Sequence, residues 1–178
     1  MHFTTVLFSV LTALTFTLNF GYAANLCTYA SRGCSSSTYG CCNNLPAGNC
    51  CWWSSASLGW SVRLSNMSGS WYAACYGSQS CTHQMAVISV GGSTVCGSVP
   101  SANTSTWQSA GWYWNSRTGR AEVAASSTEC RQPDVLGYTH SNRQYEVKVA
   151  EGQFDKITKL LDDGDYATLG HIATEVKA

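Results

Sequence analysis

Two stretches of the chain alternate apolar and polar residues without a break: Trp60-Ser61-Val62-Arg63-Leu64-Ser65 and Tyr145-Glu146-Val147-Lys148-Val149. Successive side chains of a strand point to opposite faces, so each stretch predicts a strand with one buried face. Met85–Val90 is a short β-branched apolar run, followed by Gly91-Gly92 and Ser93-Thr94-Val95-Cys96. Two glycines between such runs predict a hairpin, because a two-residue primed turn needs positive φ. Trp112-Tyr113-Trp114 sets both indoles on one face of a further strand, with Asn115–Gly119 as the next turn and Ala121–Ala124 as a return strand. Cys27–Cys51 is rich in Ser, Gly and Asn and reads as loop, with Leu45-Pro46-Ala47-Gly48 as a turn. Past Val149 the period changes. Phe154, Ile157, Leu160 and Leu161 share one helical face, and Asp155 and Lys159 form an i,i+4 pair. Gly164 stops that helix, and Asp165 caps a second one carrying Tyr166, Leu169, Ile172 and Val176. Short strands between Gly/Ser/Asn turns predict an all-β protein: a small disulfide-rich antiparallel sandwich or Greek-key domain with a short helical C-terminal extension.

Val6–Leu18 is apolar and Thr-rich, and Gly21 and Ala23 are the small residues of a cleavage site. This predicts a signal peptide over 1–23, a cysteine-rich β domain over 24–149 and a charged helical extension over 150–178. The expected product is secreted and extracellular. All ten cysteines (Cys27, Cys34, Cys41, Cys42, Cys50, Cys51, Cys75, Cys81, Cys96 and Cys130) lie in the β domain. An even set behind such a leader predicts a framework of five disulfides, with the pairing left open. Neighbours in an extended chain point apart, so each doublet, Cys41-Cys42 and Cys50-Cys51, is expected to tie two different partners. Asn66-Met67-Ser68 and Asn103-Thr104-Ser105 are candidate N-glycosylation sequons on the same route.

The formal net charge is zero. With no basic stripe, neither nucleic acid nor an anionic membrane is an expected partner. From Ala24 to Cys130 the ionic residues are Arg32, Arg63, Arg117, Arg120, Glu122 and Glu129, whereas the segment from Arg131 onward is densely charged. Glu122, Glu129 and Asp134 read as surface acids rather than as the facing pair that glycoside hydrolysis needs. His83, His140 and His171 have no metal-ligand spacing, and Asp162-Asp163-Gly164-Asp165 fails the EF-hand pattern. No catalytic residue, metal or cofactor is assigned. The remaining chemistry is aromatic, because all seven tryptophans lie in the β domain. Trp60 and one side of the Trp112 strand are expected in the core. Trp52 and Trp53, adjacent on a loop, are expected to be exposed, and Trp52, Trp53, Trp112 and Trp114 are the candidate ligand-binding residues.

The spacing Cys27…Cys34…Cys41-Cys42…Cys50-Cys51, then Trp60-Ser61-Val62-Arg63-Leu64, Tyr76-Gly77…Cys81 and Cys130-Arg131-Gln132-Pro133-Asp134-Val135-Leu136, resembles the small secreted cysteine-rich proteins of filamentous fungi, a group treated as candidate effectors. The resemblance implies an extracellular, non-enzymatic protein that acts by binding a host protein or a cell-wall glycan. The strand, hairpin and tyrosine pattern is also similar to βγ-crystallin-like killer-toxin domains, though Asn43-Asn44-Leu45-Pro46-Ala47-Gly48 does not match their calcium motif. Three functions follow as expectations: an effector-like role at a host interface, a chitin- or β-glucan-binding module, and an antimicrobial or killer-toxin-like protein.

Overall fold

The computed structural model describes residues 23–88, 92–114 and 129–176. The expected signal peptide apart from Ala23, the expected turn at Asn115–Gly119 and the expected return strand at Ala121–Ala124 lie outside these residues.

Two sheets face each other. The first holds β1 (Ala23–Tyr29), β2 (Tyr39–Pro46), β4 (Ser61–Ser65), β7 (Thr94–Ser98), β10 (Val135–His140), β11 (Arg143–Lys148) and β12 (Ala173–Val176), in the order β12-β11-β10-β2-β1-β4-β7. The second holds β3 (Cys50–Trp52), β5 (Trp71–Tyr76), β6 (Gln84–Ile88), β8 (Ser109–Trp114) and β9 (Cys130–Arg131), in the order β6-β5-β8-β3-β9. All pairings are antiparallel except β3 with β9. This is the expected all-β sandwich. Leu26, Cys42, Leu45, Val62 and Leu64 from one sheet meet Cys51, Trp71, Ala73, Cys75, Ala110 and Trp112 from the other in one core. The core indoles satisfy their N–H groups on backbone carbonyls: Trp53 Nε1 donates to Trp107 O at 2.8 Å, and Trp112 Nε1 to Leu45 O at 2.7 Å. That is what allows large polar-tipped rings to replace aliphatic residues in a core.

The alternating stretches form strands with the expected faces. Val62, Leu64 and Val147 are buried, while Arg63 and Lys148 are exposed; Ser61, on the polar side, is fully buried, and its hydroxyl donates to Ser31 O at 2.6 Å. Cys27–Cys51 is not loop, however, since β1, β2 and β3 occupy most of it. Alternation fails there because β1 is covered on both faces. Leu26 and Thr28 point into the sandwich, and Cys27 and Tyr29 lie under a second cluster with Cys41 and Tyr39. The expected hairpin pairing across Gly91-Gly92 is not found, because β6 and β7 belong to different sheets.

Among the described residues the disulfides number four, where five were expected: Cys27–Cys41, Cys34–Cys96, Cys42–Cys51 and Cys50–Cys81. Each doublet does tie two partners, and Cys42–Cys51 joins the doublets through the core. Cys75 and Cys130 cannot bridge each other. They stand three strands apart in the second sheet, roughly 14 Å, with Cys75 on the inner face and Cys130 beside outer-face Cys50. Burial pushes the Cys75 thiol far above its ordinary range, which removes its reactivity.

The C-terminal segment is part of the same core. Helix α1 (Phe154–Asp162) buries Phe154 and Ile157, and helix α2 (Tyr166–Ile172) buries Leu169, against Leu136, Tyr138 and Val147. Asp165 caps α2 by accepting from Thr168 Oγ1 at 2.7 Å and Thr168 N at 3.0 Å, and these hydrogen bonds, the side-chain one first, lower its pKa. Two expectations fail. Val176 lies not on α2 but on β12, which pairs with β11. Lys159 pairs with Asp163 at 2.9 Å, while Asp155 accepts from Gln132 and Ser54. Among the described residues, no helix is long and apolar enough to cross a membrane.

Candidate functional site

A cleft of about 470 Å³ opens at the β9 edge of the second sheet. That volume suits a small ligand. Its walls are Trp52 at the end of β3, the segment Glu129–Asp134, and Val149–Gly152 between β11 and α1. Parallel pairing with β3 lays Cys130 and Arg131 alongside Cys50 and Cys51. The Cys50 N–H donates to Glu129 O at 2.9 Å, and Asn49 Nδ2 donates to Glu129 Oε2 at 3.2 Å. The far wall is tied down by the Val149 N–H, which donates to Asp134 O at 2.8 Å.

The charged groups do different work. The Asp134 carboxylate accepts from the backbone N–H and side-chain amide of Asn43, at 3.1 and 3.0 Å. Arg131 donates to the Asn43 carbonyl and stands 3.9 Å from Asp134. These two side chains therefore lock the floor of the cleft onto β2. Gln132 Nε2 donates to Asp155 at 2.7 Å, joining the same wall to α1. Glu129 and Glu151 are exposed at the rim.

Trp52 is half-buried. One side packs on a cluster formed by Cys50, Tyr72, Tyr76, Cys81 and Tyr113 on the outer face of the second sheet. Tyr72 and Tyr113 stack at 5.3 Å, and the Tyr76 and Tyr113 hydroxyls are 3.0 Å apart. Burial, the largest cause, raises the pKa of both Tyr76 and Tyr113, so this backing stays neutral. Trp52 also lines the cleft. A rigidly backed aromatic face beside carboxylates and an amide can stack on an apolar ring face while hydrogen-bonding its hydroxyls.

The four candidate tryptophans do not converge. Trp53 is buried at 1% exposure with its N–H satisfied, so the expectation that it is exposed fails: on the pleat it points opposite to Trp52. Trp112 is core. Trp114 is 44% exposed and meets Trp112 edge-on at 5.1 Å, on the face of β8 opposite to Trp52. Trp60 is half-buried with the Arg32 guanidinium 4.5 Å over its ring. Asn66 and Asn103 are exposed. Gln132 and Glu151 were not legible as site residues. The one signal near them was the cluster of charge directly after the last cysteine.

Residues 25–134 match a family described as ARB_05566_N, N-terminal domain. The chain belongs to that family. The match spans β1 to β9 with all ten cysteines and Trp52, and stops just before β10. No curated protein and no solved structure matches the chain. Among the described residues no group of three or more His, Cys, Asp or Glu could hold a metal ion.

Proposed function

We propose that this family member is a secreted, non-enzymatic carbohydrate-binding protein that stacks a sugar ring on Trp52. The observation that carries the reading is the half-buried indole, backed by tyrosines and facing a cleft rimmed by carboxylates and an amide. The four disulfides support export, since such bridges persist in oxidising compartments. The effector-like role at a host interface belongs to the same reading, with a wall or host glycan as the bound partner.

Isothermal titration of the mature protein with chitin and β-glucan oligomers tests it. Binding is expected with at least one series, and Trp52→Ala is expected to weaken it more than tenfold. Trp114→Ala, on the opposite sheet face, is expected to leave it unchanged. No heat with any oligomer, or full binding by Trp52→Ala, overturns the proposal.

A further inference from the structure

The two flanks of the sandwich are unlike. One ends in β9 and β12, which carry Arg131 and Glu175. The other ends in β6 and β7, brought together where Ile88 packs onto Gly97, a position at which a Cβ would stand 2.5 Å from the Ile88 side chain. Gln84-Met85-Ala86-Val87-Ile88 and Thr94-Val95-Cys96-Gly97-Ser98 contain no charge and no proline. Met85 is 43% and Val87 51% exposed. Open strand edges of this kind pair with other sheets unless something blunts them, and charges or proline are the usual side-chain devices. Neither β6 nor β7 carries one.

Both sequons lie at this flank, at opposite ends of β7. Asn66 directly follows Ser65, the β4 partner of Thr94 at the start of β7. Met67 is buried at 7% exposure and its N–H donates to Ser93 O at 3.2 Å. Anchoring the middle residue leaves Asn66 and Ser68 both exposed. Asn66 sits at φ 64°, a left-handed conformation that asparagine tolerates. Asn103 follows the other end of β7. There the Asn103 N–H closes a turn on Pro100 O at 3.0 Å, and Arg32 clamps the turn by donating to the Val99 and Asn103 carbonyls at 2.9 and 3.0 Å. The clamp holds main chain only, so the Asn103 side chain, Thr104 and Ser105 remain exposed.

We infer that Asn66 and Asn103 both carry N-linked oligosaccharides, and that this pair of glycans shields the uncharged β6 and β7 edges from edge-to-edge association. In the modifying step the asparagine amide nitrogen displaces a polyprenyl diphosphate from C1 of a preassembled oligosaccharide. A C–N bond forms, the C1–O bond breaks and the amide loses one proton. The inference rests on the secretory route of the proposed function and not on its cleft.

The test expresses the full chain with its own leader in a eukaryotic secretory host. Glycopeptides of the secreted protein are mapped by mass spectrometry, and both asparagines are expected to be occupied. The folded protein is then deglycosylated enzymatically and compared with Asn66→Gln/Asn103→Gln by size exclusion over increasing concentration. Glycosylated protein is expected to stay monomeric and sugar-free protein to associate. Val87→Lys/Thr94→Lys, which charges both edges, is expected to return the sugar-free protein to monomer. Occupancy of fewer than both asparagines, or a deglycosylated protein that is monomeric at every concentration, overturns the inference. Neither result bears on sugar binding at Trp52, which the titration with Trp52→Ala decides separately.

Discussion

Trp52 and Trp53 are neighbours in the chain with opposite surroundings. The pleat sends Trp53 inward, where its N–H donates to Trp107 O at 2.8 Å, and sends Trp52 outward onto the tyrosine cluster. Residue type made both candidates, but only the position of β3 within the sheet separates them. Gly59 is part of the same local construction. Its φ is 92°, and an added Cβ would stand 2.0 Å from Trp107 O and 2.9 Å from Trp53 Nε1. Gly59→Ala therefore combines a disfavoured backbone with a backbone clash that no flexible side chain can relieve. A destabilisation of about 2 kcal/mol or more is expected, measured as a lower urea midpoint with unchanged slope.

The helices show how an element gains its place from shape. Among the described residues the first sheet has seven strands and the second five, and α1 and α2 lie against β10, β11 and β12. The amphipathic period of 154–161 was legible because a helix facing a sheet buries one stripe. Strand β12 was not legible, since Thr174, Glu175 and Val176 are exposed, and its backbone partner β11 lies some thirty residues earlier. Phe154 is fully buried against the sheet, so Phe154→Ala is expected to cost roughly 3–5 kcal/mol. Lys159, exposed and paired with Asp163, serves as the control. Its alanine variant is expected to keep the wild-type denaturation midpoint.

Across the whole molecule, four bridges and buried tyrosines set how it responds to its surroundings. Cys42–Cys51 pins sheet to sheet inside the core, and Cys27–Cys41 and Cys50–Cys81 lie on the two outer faces. Tyr29, Tyr39, Tyr76 and Tyr113 all have raised pKa values, with burial the largest cause; for Tyr39 the hydrogen bond to Glu146 at 2.5 Å adds to it. In the unfolded chain these phenols ionise near 10.0, whereas the folded protein keeps their protons at higher pH. Above that pH the unfolded state binds fewer protons than the folded one, so stability falls as pH rises. Their contribution is complete below about pH 10 and is lost progressively above it. Urea midpoints measured from pH 8 to 12 are expected to fall above pH 10, with the tyrosinate absorbance rising together with unfolding. Tyr39→Phe is expected to flatten the fall.

The amino-acid order alone settled the all-β class, the faces of the Trp60 and Tyr145 strands, the amphipathic helix and the splitting of each cysteine doublet between two partners. These are local properties: a period, or the opposite directions of adjacent side chains, needs only neighbouring residues. Tertiary structure decided which cysteines meet, that β6 and β7 belong to different sheets, and that Trp52 faces a cleft while Trp53 fills the core. Each of those depends on register and pairing between segments tens of residues apart. A strand covered on both faces, such as β1, leaves no alternation from which that pairing can be read.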